Sequence, residues 1–520
     1  MRNLRRLSQT LFLLLFLFLV LATRYGGTDQ IRYPVKVFLD FDPLILLSTL
    51  LAAHALPRAL LWSLTIVLVT ALLGRVFCGW ICPLGTLHQL MGKLRQRSSW
   101  VEQEKRLSRW QPLKYYLLIA LLASSLLTLQ PVGFFDPLSL SIRSFAVFID
   151  PLLNLIGHGL LGALSRTGFP FLERAADSLR ALGLESFLSF EPPHFQQAAI
   201  IGTVFLAILA LNLLGNRLWC VALCPLGALL GLLSRFSLPR LKIADHCNGC
   251  QACNLHCQTA ASPYPAGSWK EPECIYCWNC QDLCPEGAAQ FQVLGMARPK
   301  PGLNLERRVF LGSAIGGLLT VPLLRAGPSA VLPSPQLIRP PGALPERGFL
   351  QRCVRCGECM KVCPTHGLQP TLLEAGCEGL WSPILVPRLG YCEYSCTLCG
   401  QVCPTGAIQG LSLGEKQKVR IGLAFLDRNR CLPYSQGIPC IVCEEHCPTP
   451  KKAIWLEEGS VRDRGGAAKK LKLPRVDLDL CIGCGICERR CPLQDIPAIR
   501  VSCIGESRSP QNQLLLSKEP

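Results

Sequence analysis

Apolar residues gather into long runs before about residue 240 and thin out after it. Four runs are long and apolar enough to predict spanning helices: Thr10–Ala22 with its flanks, Ala59–Leu73, Leu113–Leu129 and Ala198–Leu214. The first follows MRNLRR and precedes TRYGGTDQIRYP, with no small-residue cleavage site between, so it reads as an anchor and not a signal peptide. A fifth run, Val309 to Leu324, is only 16 residues long and contains three glycines.

Polar positions give these runs a direction. Three arginines lie in Met1–Thr10 and eight lysines and arginines between Arg75 and Lys114. Retained positive charge marks the cytoplasmic side, and Arg217, Arg235, Arg240 and Lys242 put the end of the fourth span there too. Four crossings from an inside start agree. The formal charge of +18 is spread around the apolar segments and forms no single stripe, so nucleic acid is not an expected partner.

Composition sharpens the division. Of 520 residues 50% are hydrophobic, and 26 of the 30 cysteines follow residue 240. A disulfide framework has no reason to repeat one fixed triplet spacing, and no C-x-x-C-H for covalent haem occurs. Nor is there a Gly-rich phosphate loop, a G-x-S-x-G or a nucleotide fingerprint.

The apolar half repeats itself. Arg75–Leu87 reads RVFCGWICPLGTL and Arg217–Leu229 reads RLWCVALCPLGAL. C-x3-C puts two thiols on one helix face, and two such pairs, Cys78 with Cys82 and Cys220 with Cys224, offer four thiolates for an Fe–S cluster, zinc or dithiol chemistry. Asp-Pro follows Phe41, Phe135 and Ile149, where Asp42, Asp136 and Asp150 suit N-caps of short interfacial helices. The sharper reading makes these carboxylates proton acceptors at a quinol site, with His54 and His158 as further candidates there or as haem ligands.

In the second half the spacing is that of bacterial ferredoxins. CNGCQACNLHC from Cys247 and CIYCWNCQDLCP from Cys274 are each C-x2-C-x2-C-x3-C. Three cysteines of a run grip one cube and the fourth reaches its partner. Cys247, Cys250, Cys253 and Cys284 are thus expected to hold one [4Fe–4S], and Cys274, Cys277, Cys280 and Cys257 another. Zinc ribbons need only paired cysteines and leave the third of each run unexplained. Four more runs follow: Cys353–Cys363 and Cys481–Cys491 keep the standard spacing, Cys392–Cys403 is C-x3-C-x2-C-x3-C, and Cys431–Cys447 is C-x8-C-x2-C-x3-C. With standard runs outermost and irregular ones innermost, nested pairing is expected, with sequential pairing as its competitor. Nesting groups Cys353, Cys356 and Cys359 with Cys491; Cys481, Cys484 and Cys487 with Cys363; Cys392, Cys396 and Cys399 with Cys447; and Cys431, Cys440 and Cys443 with Cys403. Six cubes in series make a wire, leaving Cys377 and Cys503 over as structural or free thiols. The stretch Lys451 to Arg475, with eight lysines and arginines, reads as a solvated loop or a docking site for an acidic redox partner.

FCGWICPLG and WCVALCPLG after apolar spans, followed by a two-cluster ferredoxin, resemble the NapH/MauN-type membrane ferredoxins, related to the membrane core of NosR and to CcoG-like proteins. Residues 350–495, with the C-x8-C-x2-C-x3-C run, resemble NapG, a four-cluster ferredoxin. The resemblance implies quinol oxidation at the membrane and electron delivery to a periplasmic redox protein, a cytochrome or reductase, with quinone as the substrate and Cys78, Cys82, Cys220 and Cys224 redox-active or metal-binding. It names no nitrate reductase as acceptor, and NosR's flavin domain has no counterpart here.

The expected architecture is an α-helical membrane domain plus α+β bacterial-type ferredoxin domains, a polyferredoxin. A four-helix membrane domain takes 1–240, a cytoplasmic two-cluster ferredoxin 241–296, a linker and hydrophobic segment 297–330, a four-cluster ferredoxin 331–503, and a flexible tail 504–520. ERRVFLG at Glu306–Gly312 resembles a twin-arginine export signal, with Arg307 and Arg308 as its pair. Whether as export signal or fifth anchor, that segment sends the last domain to the periplasmic side of a bacterial inner membrane; a buried amphipathic linker is the third reading. Two other functions compete: a redox sensor or maturation factor of a respiratory enzyme, and a cytoplasmic electron-input module of a larger complex.

Overall fold

The computed structural model describes residues 1–93, 108–166, 171, 178, 189, 192–293, 305–325, 334–462, 468–509 and 512. Parts of the basic stretches 75–114 and 451–475, of the linker 297–330 and of the tail 504–520 lie outside the described residues.

Each sequence repeat folds the same way. In the first, α1 (Arg2–Ala22) leads to Asp42, which caps α2 (Pro43–Ala53). A 3-10 turn and α3 (Ser63–Leu73) bring the chain to the first cysteine pair, and α4 (Pro83–Lys93) leaves it. In the second, α5 (Leu113–Leu126) leads to Asp136, which caps α6 (Pro137–Ser144). Then come α7 (Asp150–Arg166), α8 (Ala198–Ala210), the second cysteine pair and α9 (Pro225–Leu233). Asp-Pro starts both capped helices for a local reason. The Asp42 carboxylate accepts the Leu44 N–H at 2.8 Å and that of Asp136 the Ser139 N–H at 2.7 Å, while proline at the first helical position lacks the N–H that would need a partner.

Among the described residues, three helical stretches are long and apolar enough to cross a membrane: Arg2–Ala22, Pro137–Arg166 and Arg307–Arg325. The other expected spans are shorter apolar helices. Pro137–Arg166 was expected to hold two short helices starting at Asp136 and Asp150. Instead a π-helical turn, Phe145–Ile149, joins α6 to α7, and Asp150 sits inside a continuous helix with φ −63° and ψ −47°. Asp150 therefore caps nothing; it pairs with Lys361 at 2.7 Å.

The first ferredoxin unit is closed by β1 (Pro239–Ile243) paired antiparallel with β2 (Ala289–Val293) around two cysteine runs. In the last unit β3 (Leu368–Pro370) pairs with β4 (Pro383–Leu385), and β5 (Leu423–Leu426) with β8 (Ile499–Ser502). A ribbon of β6 (Ile454–Arg462) and β7 (Ala468–Val476) accounts for most of the basic stretch.

These units sit at opposite ends of the helical one. At the start of α5, Lys114 pairs with Glu273 of the first ferredoxin, and the Tyr115 hydroxyl donates to the same carboxylate at 2.9 Å. Beyond its far end, Arg355 of the last unit donates to the Gln130 carbonyl. The segment Arg307–Arg325, α10, runs alongside α5 in the same direction: the Glu306 N–H meets the Tyr116 hydroxyl at 3.1 Å, and Arg325 reaches the Thr128 carbonyl at 3.1 Å and Glu378 at 2.8 Å. A Cβ at Gly317 would lie 2.2 Å from the Ala120 carbonyl oxygen, so the glycine is what lets the two helices approach. Three charges counted for topology, Arg75, Lys114 and Arg217, are buried at 2%, 0% and 1% exposure.

Candidate redox sites

The CPLG turns fold in a way that periodicity does not reveal. Phe77–Ile81 and Trp219–Leu223 are both π-helical, closed by the Cys82 N–H to the Phe77 carbonyl at 3.0 Å and the Cys224 N–H to the Trp219 carbonyl at 2.9 Å. Such widened turns recur at functional positions. Each second cysteine then leads into a new helix with proline first, and its sulfur accepts an N–H: Gly85 to Cys82 at 3.5 Å, Gly227 to Cys224 at 3.2 Å. Cys78, Cys82, Cys220 and Cys224 meet between the repeats, each close enough to the others to interact electrostatically.

The two repeat aspartates also meet. Asp42 and Asp136 are fully buried, with their carboxyl groups close enough to interact. Asp42 Oδ2 and Asp136 Oδ1 have no hydrogen-bond partner. His54, by contrast, is an exposed residue ending α2, and His158 bonds the Ser189 carbonyl at 2.9 Å. Among the five candidates the structure therefore brings together only Asp42 and Asp136.

The last ferredoxin unit lies against this carboxyl end. Arg143 of α6 donates to the Gly133 carbonyl at 3.0 Å and the Arg355 carbonyl at 3.2 Å. Val354 and Cys356 share one packed core with Leu138, Cys82 and Cys224. Glu358, between Cys356 and Cys359, is buried with neither carboxyl oxygen partnered, and burial pushes it well above the usual carboxylate range.

The grouping of the last sixteen cysteines is sequential, which corrects the nested pairing. Cys403 approaches Cys353, Cys356 and Cys359, and Cys363 approaches Cys392, Cys396 and Cys399. One pocket is lined by Cys447, Cys481, Cys484 and Cys487, and another by Cys431, Cys440, Cys443 and Cys491. Antiparallel pairing of β5 with β8 decides this, because it folds the fourth run back onto the third. The two halves then touch through the Cys392 N–H and the Cys484 carbonyl at 2.8 Å. In the first ferredoxin unit Cys253 lies by Cys247 and Cys284, and Cys274 by Cys277 and Cys257. Cys503 is buried, Cys377 exposed.

These pockets fit cubes better than single ions. Among the described residues no group of three or more His, Cys, Asp or Glu draws together tightly enough for one metal ion. Four sulfurs around an open pocket suit a polynuclear cluster. Burial pushes the Cys396, Cys443 and Cys484 thiols up to about 12, so iron must displace their protons on binding.

Sequence reasoning found every cysteine and missed the groups around them. Arg75, Lys114 and Arg217 were counted only as topology charges, and nothing in the sequence pointed to the buried network of Lys114 and Tyr115 with Glu273.

Comparison with known proteins agrees with this chemistry. The 4Fe-4S binding domain family matches residues 55–100, 197–244 and 399–421, and a second family of the same description matches 350–369 and 474–494. The methylamine utilization ferredoxin-type protein MauM of Methylorubrum extorquens is 41% identical over 168 residues, 32% of this chain and 71% of the relative. The ferredoxin-type protein NapG of Escherichia coli is 37% identical over 211 residues, 39% of this chain and 87% of the relative. The ferredoxin-type protein NapH of Haemophilus influenzae is 29% identical over 306 residues, 55% of this chain and 88% of the relative. No solved structure matches. The chain is an iron–sulfur electron-transfer protein belonging to the NapG/MauM family of ferredoxin-type proteins, and it carries NapH-like sequence in the same polypeptide.

Proposed function

We propose that this protein is anchored in a membrane, takes electrons from the quinol pool, and delivers them to a redox protein on the outer face through iron–sulfur clusters. The 24 cysteines of the six runs are read as holding six [4Fe–4S] clusters, grouped sequentially in the last unit. Bound there, the clusters would supply one-electron carriage; the chain's residues hold them and set their surroundings.

The observation that carries this reading is the end-to-end order of the chemistry. The first ferredoxin unit, the four thiols of the repeats, the Asp42–Asp136 pair and the Cys353 run follow one another along the helical unit. The carboxyl pair suits a site where protons leave quinol as electrons depart, since buried carboxyls among apolar helices are costly and capping alone does not require aspartate. Placement of the two ferredoxin units at opposite ends argues against a module with every cluster inside.

Anaerobic iron and sulfide quantitation with EPR during quinol addition tests the reading. Quinol should reduce clusters in a chain holding at least about 20 irons. Clusters that stay oxidised while dithionite reduces them would favour a sensor or maturation factor.

A further inference from the structure

We propose that Cys78, Cys82, Cys220 and Cys224 together hold one additional iron–sulfur cube, half from each repeat, with Arg75 and Arg217 as its compensating charges. This site is independent of the quinol reading and of the six ferredoxin runs.

The thiols carry the marks of the chain's own ferredoxin cysteines. Gly85 and Gly227 N–H groups donate to Cys82 and Cys224 sulfurs at 3.5 and 3.2 Å. In the ferredoxin units Ala261 donates to Cys257 at 3.2 Å and Ile408 to Cys403 at 3.4 Å. Such N–H donors stabilise the negative charge that thiolates bring to a cluster. Four thiolates from two chain segments form a soft donor set of the kind that binds Fe–S clusters.

The charge balance crosses between the repeats. A Cβ at Gly227 would lie 2.8 Å from an Arg75 guanidinium nitrogen, and one at Gly85 would lie 3.6 Å from an Arg217 nitrogen. Each arginine of one repeat thus lies over the CPLG turn of the other. Arg75 interacts with Cys78 and Cys224, and Arg217 with Cys220. Both are anchored from outside the thiol group, Arg75 by the Pro272 carbonyl at 2.6 Å and Arg217 by Gln89 at 2.8 Å. Arg75 is shared with the Glu273 carboxylate at 3.8 Å, and both guanidiniums are buried beside the thiols, where negative charge offsets the cost of burying them. Beside an oxidised cube with four thiolates they offset a net charge of about −2.

The test compares the full-length chain with Cys224→Ser and Cys78→Ser variants, all purified anaerobically. Wild type should contain about 28 irons with matching sulfide, and each variant about four fewer, with the ferredoxin EPR signals kept. Mössbauer spectra of the wild type supply the same count if a variant fails to fold. In Arg75→Gln and Arg217→Gln, one signal alone should move to lower potential. Unchanged iron in the serine variants would overturn the proposal. So would one zinc per chain lost with Cys224, or thiols that resist alkylation until reduced, which would mean a disulfide.

Discussion

The carboxyl groups of Asp42 and Asp136 lie within interacting distance of each other where the two repeats meet, each also capping its own helix. Asparagine is an equally good cap, so Asp42→Asn and Asp136→Asn should fold and keep their iron. Removing a proton acceptor should nevertheless slow quinol-driven cluster reduction on the order of 10²-fold. Reduction by dithionite should be unchanged. Stopped-flow reduction with both donors checks this; equal quinol rates in wild type and both variants would remove the pair from the reaction.

Glu346 ties the last ferredoxin unit to its own C-terminal segment. Burial raises its pKa, but Arg339 at 2.6 Å and Arg508 at 2.9 Å outweigh that and hold it down at about 2. A folded-state value below the ordinary one contributes stability above pH ~4.5 that is lost as pH falls toward 2. The side chain is 31% exposed. Solvent screening therefore brings the contribution to about 1–2 kcal/mol. Glu346→Gln should be less stable than wild type by that amount at pH 7 in denaturant titrations, and the gap should close between pH 4.5 and 2.

Sequential grouping predicts which cysteine losses coincide. Cys431 and Cys491 line one cavity, so Cys431→Ser with Cys491→Ser should lose about four irons, whereas Cys353→Ser with Cys491→Ser should lose about eight. Nested pairing expects the reverse. Iron per chain in the two double variants decides.

The contrast shows where sequence reading stops. Cluster-binding runs are legible because three ligands of a cube come from one short loop, so C-x2-C-x2-C records them directly. The fourth ligand comes from tertiary structure. Regular or irregular spacing within Cys392–Cys403 says nothing about which run lies beside it; pairing of Leu423–Leu426 with Ile499–Ser502 does. The Asp42–Asp136 contact was hidden for the same reason, since each FDPL by itself reads as a cap. Asp150 looked identical in sequence, yet a π-turn at Phe145–Ile149 carries the helix straight through it. Pro137–Arg166, read from sequence as two short helices, is one continuous helical stretch that sets Arg143 and Asp150 against Arg355 and Lys361 of the last unit.

Arg307 and Arg308 begin a helix that reaches the far end of α5, where Arg325 holds Glu378 beside the exposed Cys377. Cys377 is therefore a native reporter of the side on which the last unit lies. A membrane-impermeant maleimide should label it in right-side-out vesicles, and a Cys377→Ser control should lose that label. Replacing Arg307 and Arg308 with glutamine should abolish labelling if the pair directs residues 350–495 outward. Gly317→Leu separates direction from packing. Its side chain would meet the Ala120 carbonyl and destabilise the α5–α10 contact by about 1–3 kcal/mol, lowering thermal stability while Cys377 stays accessible from outside. Labelling unaffected by the arginine substitutions would make Arg307–Arg325 an anchor whose arginines do not set its direction.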